Sequence, residues 1–130
     1  MNAKVFQGRL IMLRADEGTA HERTKALTNA FTALGTDRTH ALPATICIDL
    51  TGFTVVPSLF LGLLGNYASS GDSPFARIVL IGASDGIMRR LSQFGLLSKT
   101  NRLRTVCDHA EAASLIFSGA ANEFQVVAAD

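Results

Sequence analysis

The sequence predicts a single small α/β domain with a mixed β-sheet of four to five strands and about four helices. Short apolar runs alternate with longer stretches in which apolar residues recur at helical spacing, as in sheets whose strands are joined by helical crossovers. The chain has 130 residues, of which 48% are apolar and 18% charged, enough to bury one core. We place the domain at residues 1–118 and a C-terminal tail at 119–130.

The first part of the chain predicts a strand, a helix and a second strand. Lys4–Arg14 contains two short apolar runs, which indicate a hairpin or one bent strand. Thr19 and Glu22 have the spacing of a capping box and open a helix that Gly35 ends. Thr45–Leu50 is apolar at nearly every position, as expected of a central strand covered on both faces.

The second part continues the same alternation. Apolar spacing, the caps Ser84 and Asp108, and the C-cap pair Gly95-Leu96 define its elements. The predicted elements are a helix at 58–69, a strand at 76–82, a helix at 84–94, a strand at 101–107 and a helix at 108–117. In the tail, Phe124–Val127 has strand composition and can pair with a sheet edge or a partner.

The charge distribution excludes some partners and leaves one question open. A net charge of +1 gives no global attraction to nucleic acid or to anionic lipid. The segment Arg77–Arg104 is locally basic, with Asp85 as its single acidic residue. The basic residues are Arg77, Arg89, Arg90, Lys99, Arg102 and Arg104. They form either a solvated surface or an electropositive docking face for an acidic partner.

Cysteine usage and hydropathy indicate a cytoplasmic chain. Cys47 lies in a predicted strand, where a small buried apolar residue is expected, and with Cys107 it does not make a disulfide framework at this length. No signal peptide opens the sequence, and no apolar run approaches the length of a membrane span. We expect a bacterial cytosolic location, no membrane insertion, and no cofactor.

Ser58 is the most informative candidate site residue. It follows Pro57, which disfavours helix at the preceding residue, and it stands where the second helix begins. Its hydroxyl can be a helix N-cap worth about 1 kcal/mol. The same exposed hydroxyl can also be a contact or modification point, because the helix dipole stabilises a phosphate there.

The residues after Ser58 predict a surface for a partner. Phe60 and Leu61 are adjacent in the first helical turn, about 100° apart, so they do not share one narrow stripe. We therefore expect one of the two to be exposed as an anchor beside Ser58. Pro57, Leu59, Phe60 and Leu61 form the predicted partner-binding surface.

Motifs for catalysis and metal binding are weak. The GxSxG motif of a nucleophile elbow is absent, and none of the three histidines, His21, His40 and His109, has a flanking pattern that matches one. The adjacent residues of Cys107-Asp108-His109 do not converge on one metal ion. The turn Gly82–Gly86 lacks a P-loop lysine, which favours a simple strand-to-helix turn over a nucleotide site. We expect no enzyme and no metal, with a small nucleotide-binding protein as a lesser alternative.

The segment from Ile48 to Leu64, IDLTGFTVVPSLFLGLL, resembles the signature of the STAS domains of anti-sigma-factor antagonists. The resemblance extends downstream through Ile78–Gly82, the helix to Phe94, and Asp108–Ile116, so that it covers about residues 45–117. It implies a small domain with a sheet on one side and helices on the other. It also implies a non-catalytic role, binding of a kinase-type anti-sigma partner, and phosphorylation of one residue, which Ser58 matches by position.

The sequence departs from that signature at two places, and these departures suggest alternative functions. Pro57 stands where the family has an acidic residue, and Leu59-Phe60 stands where it has Ser-Gly. These departures favour a relative that uses the same surface without phosphorylation, either as a constitutive scaffold of a stress-sensing assembly or as a subunit of a lipid-transport ATP-binding-cassette complex. The sequence leaves a homodimer open.

Overall fold

The protein is described by a computed structural model over residues 9–36, 44–70, 73–97, 102–116 and 124–128. Within those ranges strands and helices alternate strictly. They are β1 (Arg9–Arg14), α1 (Ala20–Thr36), β2 (Ala44–Asp49), α2 (Ser58–Ser69), β3 (Phe75–Ile81), α3 (Asp85–Gln93), β4 (Leu103–Val106), α4 (His109–Ile116) and β5 (Phe124–Ala128). The predicted α/β class and its numbers of strands and helices are confirmed.

The five strands form one sheet in the order β4-β3-β2-β1-β5. Every pairing among these strands is parallel, where we predicted a mixed sheet. The reason is that a helix joins each described strand to the next, and such a crossover returns the chain in the same direction. Of the hairpin predicted at Lys4–Arg14, residues 1–8 lie outside the described residues, and Arg9–Arg14 is strand β1.

The two faces of the sheet carry different amounts of apolar packing. Because side chains alternate along a strand, Ile46 and Ile48 face the larger cluster, which buries residues of α1, α2 and α3. Cys47 faces the smaller cluster, to which α4 contributes only Ala112 among the described residues. Three helices therefore cover one face and α4 covers the other.

The position of α4 corrects the layout that the family resemblance implied, with all helices on one side. The chain moves stepwise across the sheet from β1 to β4, and then returns past the whole sheet to place β5 beside β1. A right-handed crossover that runs in the reverse direction puts its helix on the opposite face. The single change of direction thus explains why α4 lies apart from the other helices.

The predicted N-terminal caps of α1, α3 and α4 are confirmed. Thr19 Oγ1 accepts a hydrogen bond from Glu22 N at 3.2 Å, and Glu22 Oε1 accepts one from Thr19 N at 2.7 Å, which completes the capping box of α1. Ser84 Oγ accepts from Ile87 N at 3.3 Å, and Asp108 Oδ1 accepts from Glu111 N at 2.8 Å. These local bonds fix where α1, α3 and α4 begin.

The C-terminal cap of α3 is also confirmed. Gly95 has a φ of 71° and donates to Ser92 O, while Leu96 N donates to Leu91 O. Those are the two hydrogen bonds of a Schellman motif. Leu96 then packs against α2 near Gly65, so the cap also closes the core on that side.

The sequence predicted that Gly35 ends α1, and this prediction is wrong. The helix continues to Thr36, and Gly35 is buried within it. A Cβ atom at this position would overlap the phenol of Tyr67 on α2. The glycine is therefore required for close approach of two helices rather than for a turn.

The predicted tail contributes to the sheet. Residues Phe124–Ala128 form β5, which pairs with β1 from Leu10↔Phe124 to Arg14↔Ala128. This is the edge pairing that the strand composition allowed. Among the helices in the described ranges, none has the length and apolar character needed to span a bilayer.

Candidate functional site

The carboxyl ends of the parallel strands meet at one edge of the sheet, where ligands and partners of α/β proteins commonly bind. A groove of about 540 Å³ lies at this edge. Its walls are the β2–α2 loop at residues 52–57, the first turn of α1, and the side chains of Ser58 and Arg90. The groove therefore includes the serine that the sequence singled out.

Ser58 is the first residue of α2 and is exposed. Its predicted role as the N-cap is wrong, because the N-cap is Pro57, whose φ of −72° and ψ of 157° are extended, and no side chain caps the helix there. The first helical hydrogen bond runs from Leu61 N to Pro57 O at 3.2 Å. The Ser58 hydroxyl therefore forms no capping hydrogen bond at the N-terminus of α2.

The Ser58 hydroxyl instead contacts an arginine of α3. Nη2 of Arg90 donates a hydrogen bond to Ser58 Oγ at 3.2 Å. The guanidinium also lies 5.5 Å from the ring centroid of Phe94, which is 46% exposed. Arg90 thus links the start of α2 to an exposed aromatic ring at the end of α3.

Of the four residues of the predicted partner-binding surface, two are exposed and two are buried. Pro57 and Leu59 are exposed, Leu59 to 66%. Phe60 and Leu61 are both fully buried, although we expected one of them at the surface. The exposed apolar residue beside Ser58 is therefore Leu59, and Val55 in the preceding loop is exposed to a similar extent.

The burial of both Phe60 and Leu61 follows from the position of α2 between its neighbours. Phe60 packs on Phe31 of α1, with ring centroids 5.6 Å apart, and Leu96 after α3 touches the other flank of α2 near Gly65. A helix flanked on both sides and resting on a sheet buries a wide stripe, so adjacent positions are both covered. One of the two would be exposed only if the buried stripe of α2 were narrow.

A second arginine gives the groove its charge. Arg23 of α1 donates from Nε to Ala15 O at 2.8 Å, and its guanidinium lies 4.6 Å from the ring centroid of Phe53. No carboxylate is among the described residues that line the groove. Together with the positive dipole end of α2, Arg23 and Arg90 make this groove electropositive.

An Asp–His pair stands at the same edge on the other side of the sheet. Nε2 of His109, the first residue of α4, lies 2.9 Å from Oδ2 of Asp49 at the end of β2. The side chains of Asp49 and His109 are 16% and 52% exposed. Thr51 N donates to Asp49 Oδ1 at 2.9 Å. This pair joins α4 to the sheet.

The pKa of the Asp49 carboxyl lies below its ordinary value. Burial alone would raise that pKa, but the hydrogen bonds from Thr51 and the contact with His109 favour the ionised form and together outweigh the burial. Asp49 is therefore a carboxylate at neutral pH, which suits it to hold α4 in place.

The turn at Gly82–Gly86 has a structural role, as predicted. Gly82 has a φ of 69°, and a Cβ atom there would overlap Oγ1 of Thr51 in the neighbouring loop. Ser84 is occupied as the cap of α3. Gly82 is thus explained by the packing of two loops, and Ser84 by the capping of α3.

Both cysteines and two of the three histidines, His21 and His109, lie among the described residues. Within the described part of the chain, no cluster of three His, Cys, Asp or Glu side chains could hold a metal ion. Cys47 is buried, which raises the pKa of its thiol to about 12 and keeps it protonated. Cys107 is exposed. Of the histidines, His40 lies outside the described residues.

Comparison with known proteins adds no assignment. No protein-family model, no curated protein and no solved structure matches the chain significantly.

Sequence reasoning missed two features of this edge of the sheet. Arg23 was not singled out, because its partners Ala15 and Phe53 are distant in sequence. The Asp49–His109 pair spans 60 residues. The pair could have been found from sequence, because Asp49 ends one strand and His109 follows another. The carboxyl ends of parallel strands share an edge, so the two residues are expected to lie near one another.

Proposed function

We propose that this chain is a non-catalytic, regulatory protein–protein interaction module of the anti-sigma-factor-antagonist type. In this role it acts in the bacterial cytoplasm and binds a kinase-type anti-sigma partner. The start of α2 is the binding surface, and Ser58 is the contact or phosphorylation point. The supporting observation is the exposed Ser58 hydroxyl, which is not used as a cap and lies beside Arg90 in an electropositive groove.

The surroundings of Ser58 suit a protein partner. Leu59 and Val55 expose apolar side chains on either side of the serine, and such side chains act as anchors when a partner covers them. A shallow apolar depression formed by Leu59, Pro57 and the first turns of α1 adjoins the main groove. An exposed apolar rim around a polar centre is the usual composition of an interface.

Phosphorylation would change this surface through local electrostatics. Transfer of the γ-phosphoryl group of ATP to Ser58 Oγ releases ADP, and the hydroxyl proton passes to a base of the kinase. The product carries about two negative charges, which the guanidinium of Arg90 and the N-terminus of α2 stabilise. A partner would then have to desolvate those charges in order to bind.

The test combines phosphorylation with binding. The protein is incubated with the cognate anti-sigma kinase and ATP, modification is located by mass spectrometry, and partner affinity is measured by calorimetry. Ser58→Asp and Leu59→Asp should each weaken binding at least tenfold, whereas Ser58→Ala should bind well but accept no phosphate. Leu115→Asp, a matched change at a partly exposed leucine of α4, should bind normally.

The proposal fails if Ser58→Asp and Leu59→Asp both bind the anti-sigma partner as tightly as the unchanged protein. It also fails if phosphate is found only at residues other than Ser58.

A constitutive scaffold or transporter subunit is the second candidate. Leu59, exposed to 66% directly after Ser58, favours permanent apolar contact over a switch. For such a scaffold, Leu59→Ala should weaken assembly and Ser58→Asp should leave it almost unchanged. Phe60→Ala and Leu61→Ala do not serve this test, because both residues are core and their loss would destabilise the whole domain.

A further inference from the structure

A second basic groove lies far from Ser58, on the side of the sheet that α4 covers. It has a volume of about 260 Å³ and is lined by Arg77, Arg102 and Arg104, together with Ala76 and Leu115. Three of the basic residues in the sequence segment 77–104 thus converge on one concavity. Arg90, by contrast, belongs to the Ser58 groove.

The register of the sheet brings these arginines together. Arg104 on β4 pairs with Val79 on β3, and Arg77 precedes Val79 by two residues, so both side chains project from the same face. Arg102 stands directly before β4, and its carbonyl oxygen accepts from Ile78 N at 3.0 Å. Like charges on neighbouring strands repel one another and oppose folding.

Backbone carbonyl groups hold the guanidinium groups in place. Nη1 of Arg77 donates to Leu115 O at 3.3 Å, near the C-terminus of α4. Arg102 donates to Ser70 O at the end of α2, and Arg104 to Leu103 O at 2.7 Å. Such contacts restrict long side chains before any ligand arrives, which reduces the entropic cost of binding.

The positive charge of Arg77 and Arg102 is not neutralised within the described part of the chain. No carboxylate of those residues forms an ion pair with either arginine. Each guanidinium has several N–H donors, and one donor of each is committed to a carbonyl group. A multiply charged oxyanion would relieve the repulsion between Arg77 and Arg102 and accept further hydrogen bonds from their guanidinium groups.

We propose that this groove binds a phosphate or pyrophosphate group of a small molecule. Arginine presents planar pairs of N–H donors that match phosphate oxygens bidentately. Pockets for whole drug-sized ligands are usually larger, about 300 Å³ or more, so the groove suits the anionic group itself with the rest of the molecule outside. The site is independent of Ser58, because it lies toward the amino ends of β3 and β4.

Calorimetric titration of the full chain with sodium pyrophosphate, inorganic phosphate and glycerol phosphate, at constant ionic strength, tests the proposal. Saturable binding is expected for at least one of these anions. Tighter binding of glycerol phosphate than of inorganic phosphate would identify a phosphate ester as the natural group, and the reverse would identify the free ion. Absence of saturable binding in all three titrations would overturn the proposal.

Variants locate the binding site. Arg77→Gln and Arg104→Gln should each reduce affinity about tenfold or more, since each removes a charge-assisted contact. Arg89→Gln changes an exposed arginine of α3 outside the groove and should change affinity less than about twofold. Arg77→Lys keeps the charge and should recover part of the affinity, which separates a loss of binding from a loss of fold.

An equal loss of anion affinity in Arg89→Gln and Arg77→Gln would mean that the anion is attracted nonspecifically to positive charge, and this result would refute the site. Amide shifts on titration should appear around Ala76 and Leu103 and be absent at Ser58. Shifts centred on Ser58 would instead assign the anion to the other groove.

Discussion

The two faces of this sheet are held in different ways. On one face, α1, α2 and α3 share a continuous apolar cluster in which Phe31 contacts the rings of Phe60, Tyr67 and Phe75. On the other face, α4 contributes the buried side chain of Ala112 and two polar contacts near its ends. Those are His109 with Asp49 and Leu115 O with Arg77. Among the described side chains, those of α1, α2 and α3 join the larger apolar cluster, whereas α4 adds one buried alanine and these two polar contacts.

This difference locates the stable and the adaptable parts of the domain. Elements with few buried apolar contacts open at lower free energy than the core, and α4 is the helix with the fewest among those described. Ser58 lies on the well-packed side, where α2 is fixed from both flanks. The start of α2 should therefore lose little conformational entropy on binding if a partner contacts Ser58.

The largest expected effect is in the aromatic cluster. Phe31→Ala should lower the free energy of unfolding by about 3–5 kcal/mol, because Phe31 is fully buried and contacts three other rings. Urea denaturation followed by circular dichroism measures the change. On the other face, replacing the partly exposed Leu115 by alanine should cost less than about 1 kcal/mol. Equal losses would mean that both faces are packed alike.

A smaller effect is expected where α1 and α2 approach closely. Gly35→Ala places a methyl group against the phenol of Tyr67, which is itself packed edge-on against Phe31 and Phe75. Overpacking of this kind costs about 1–3 kcal/mol, more than the gain of about 0.5–1 kcal/mol from replacing a helical glycine. Thermal unfolding should show a lower Tm. Gly62→Ala on the exposed side of α2 is the control and should raise Tm. A Tm raised by Gly35→Ala would show that Tyr67 moves aside freely.

The Asp49–His109 pair gives the next effect, and it depends on pH. Asp49→Asn should destabilise the protein by about 1–2 kcal/mol at pH 7. The pKa of Asp49 is depressed in the folded state, so its stabilising contribution is full above the unfolded value of about 3.9 and is lost as pH falls through the lower folded value. Urea titrations at several pH values should show the variant and the unchanged protein converging in acid.

The same variant tests whether α4 opens separately. In Asp49→Asn, the rate of amide exchange should increase more in α4 than in α1. A thiol reagent should also modify Cys47, which faces the α4 side of the sheet, faster than in the unchanged protein. In the unchanged protein only Cys107 should react readily, because Cys47 is buried with its thiol protonated. Asp16→Asn, at an exposed ion pair, is the control. Uniform acceleration over all helices would show that α4 is no separate unit.

The fold could be predicted from sequence because its signals are local. Capping residues such as Ser84 and Asp108, the Schellman pair Gly95-Leu96, and short apolar strands each depend on neighbours within a few positions. The direction of the strands was harder to predict from sequence, because it depends on the crossovers between strands. The side of the sheet on which α4 lies depends on the return of the chain from β4 to β5, which no single segment encodes.

The candidate site was predictable only in part. The sequence located the start of α2 and named Ser58, because an X-Pro bond followed by an apolar helical pattern is a local signal. It misassigned Phe60 and Leu61, whose burial depends on helices on both flanks of α2. Arg90 approaches Ser58 from α3, 32 residues away, and that proximity is a property of the assembled layers.

The smallest expected effect on stability is at Ser58 itself. A serine N-cap replaced by alanine costs about 1 kcal/mol, but the Ser58 hydroxyl caps nothing here and only accepts one bond from the half-buried Arg90. Ser58→Ala should therefore change the free energy of unfolding by less than about 0.5 kcal/mol, as measured by urea denaturation. Ser84→Ala, at a serine that does cap a helix, is the matched control and should cost about 1 kcal/mol. Equal losses in the two variants would mean that Ser58 is committed to the helix end. Its hydroxyl would then not be available to a kinase or a partner without loss of fold.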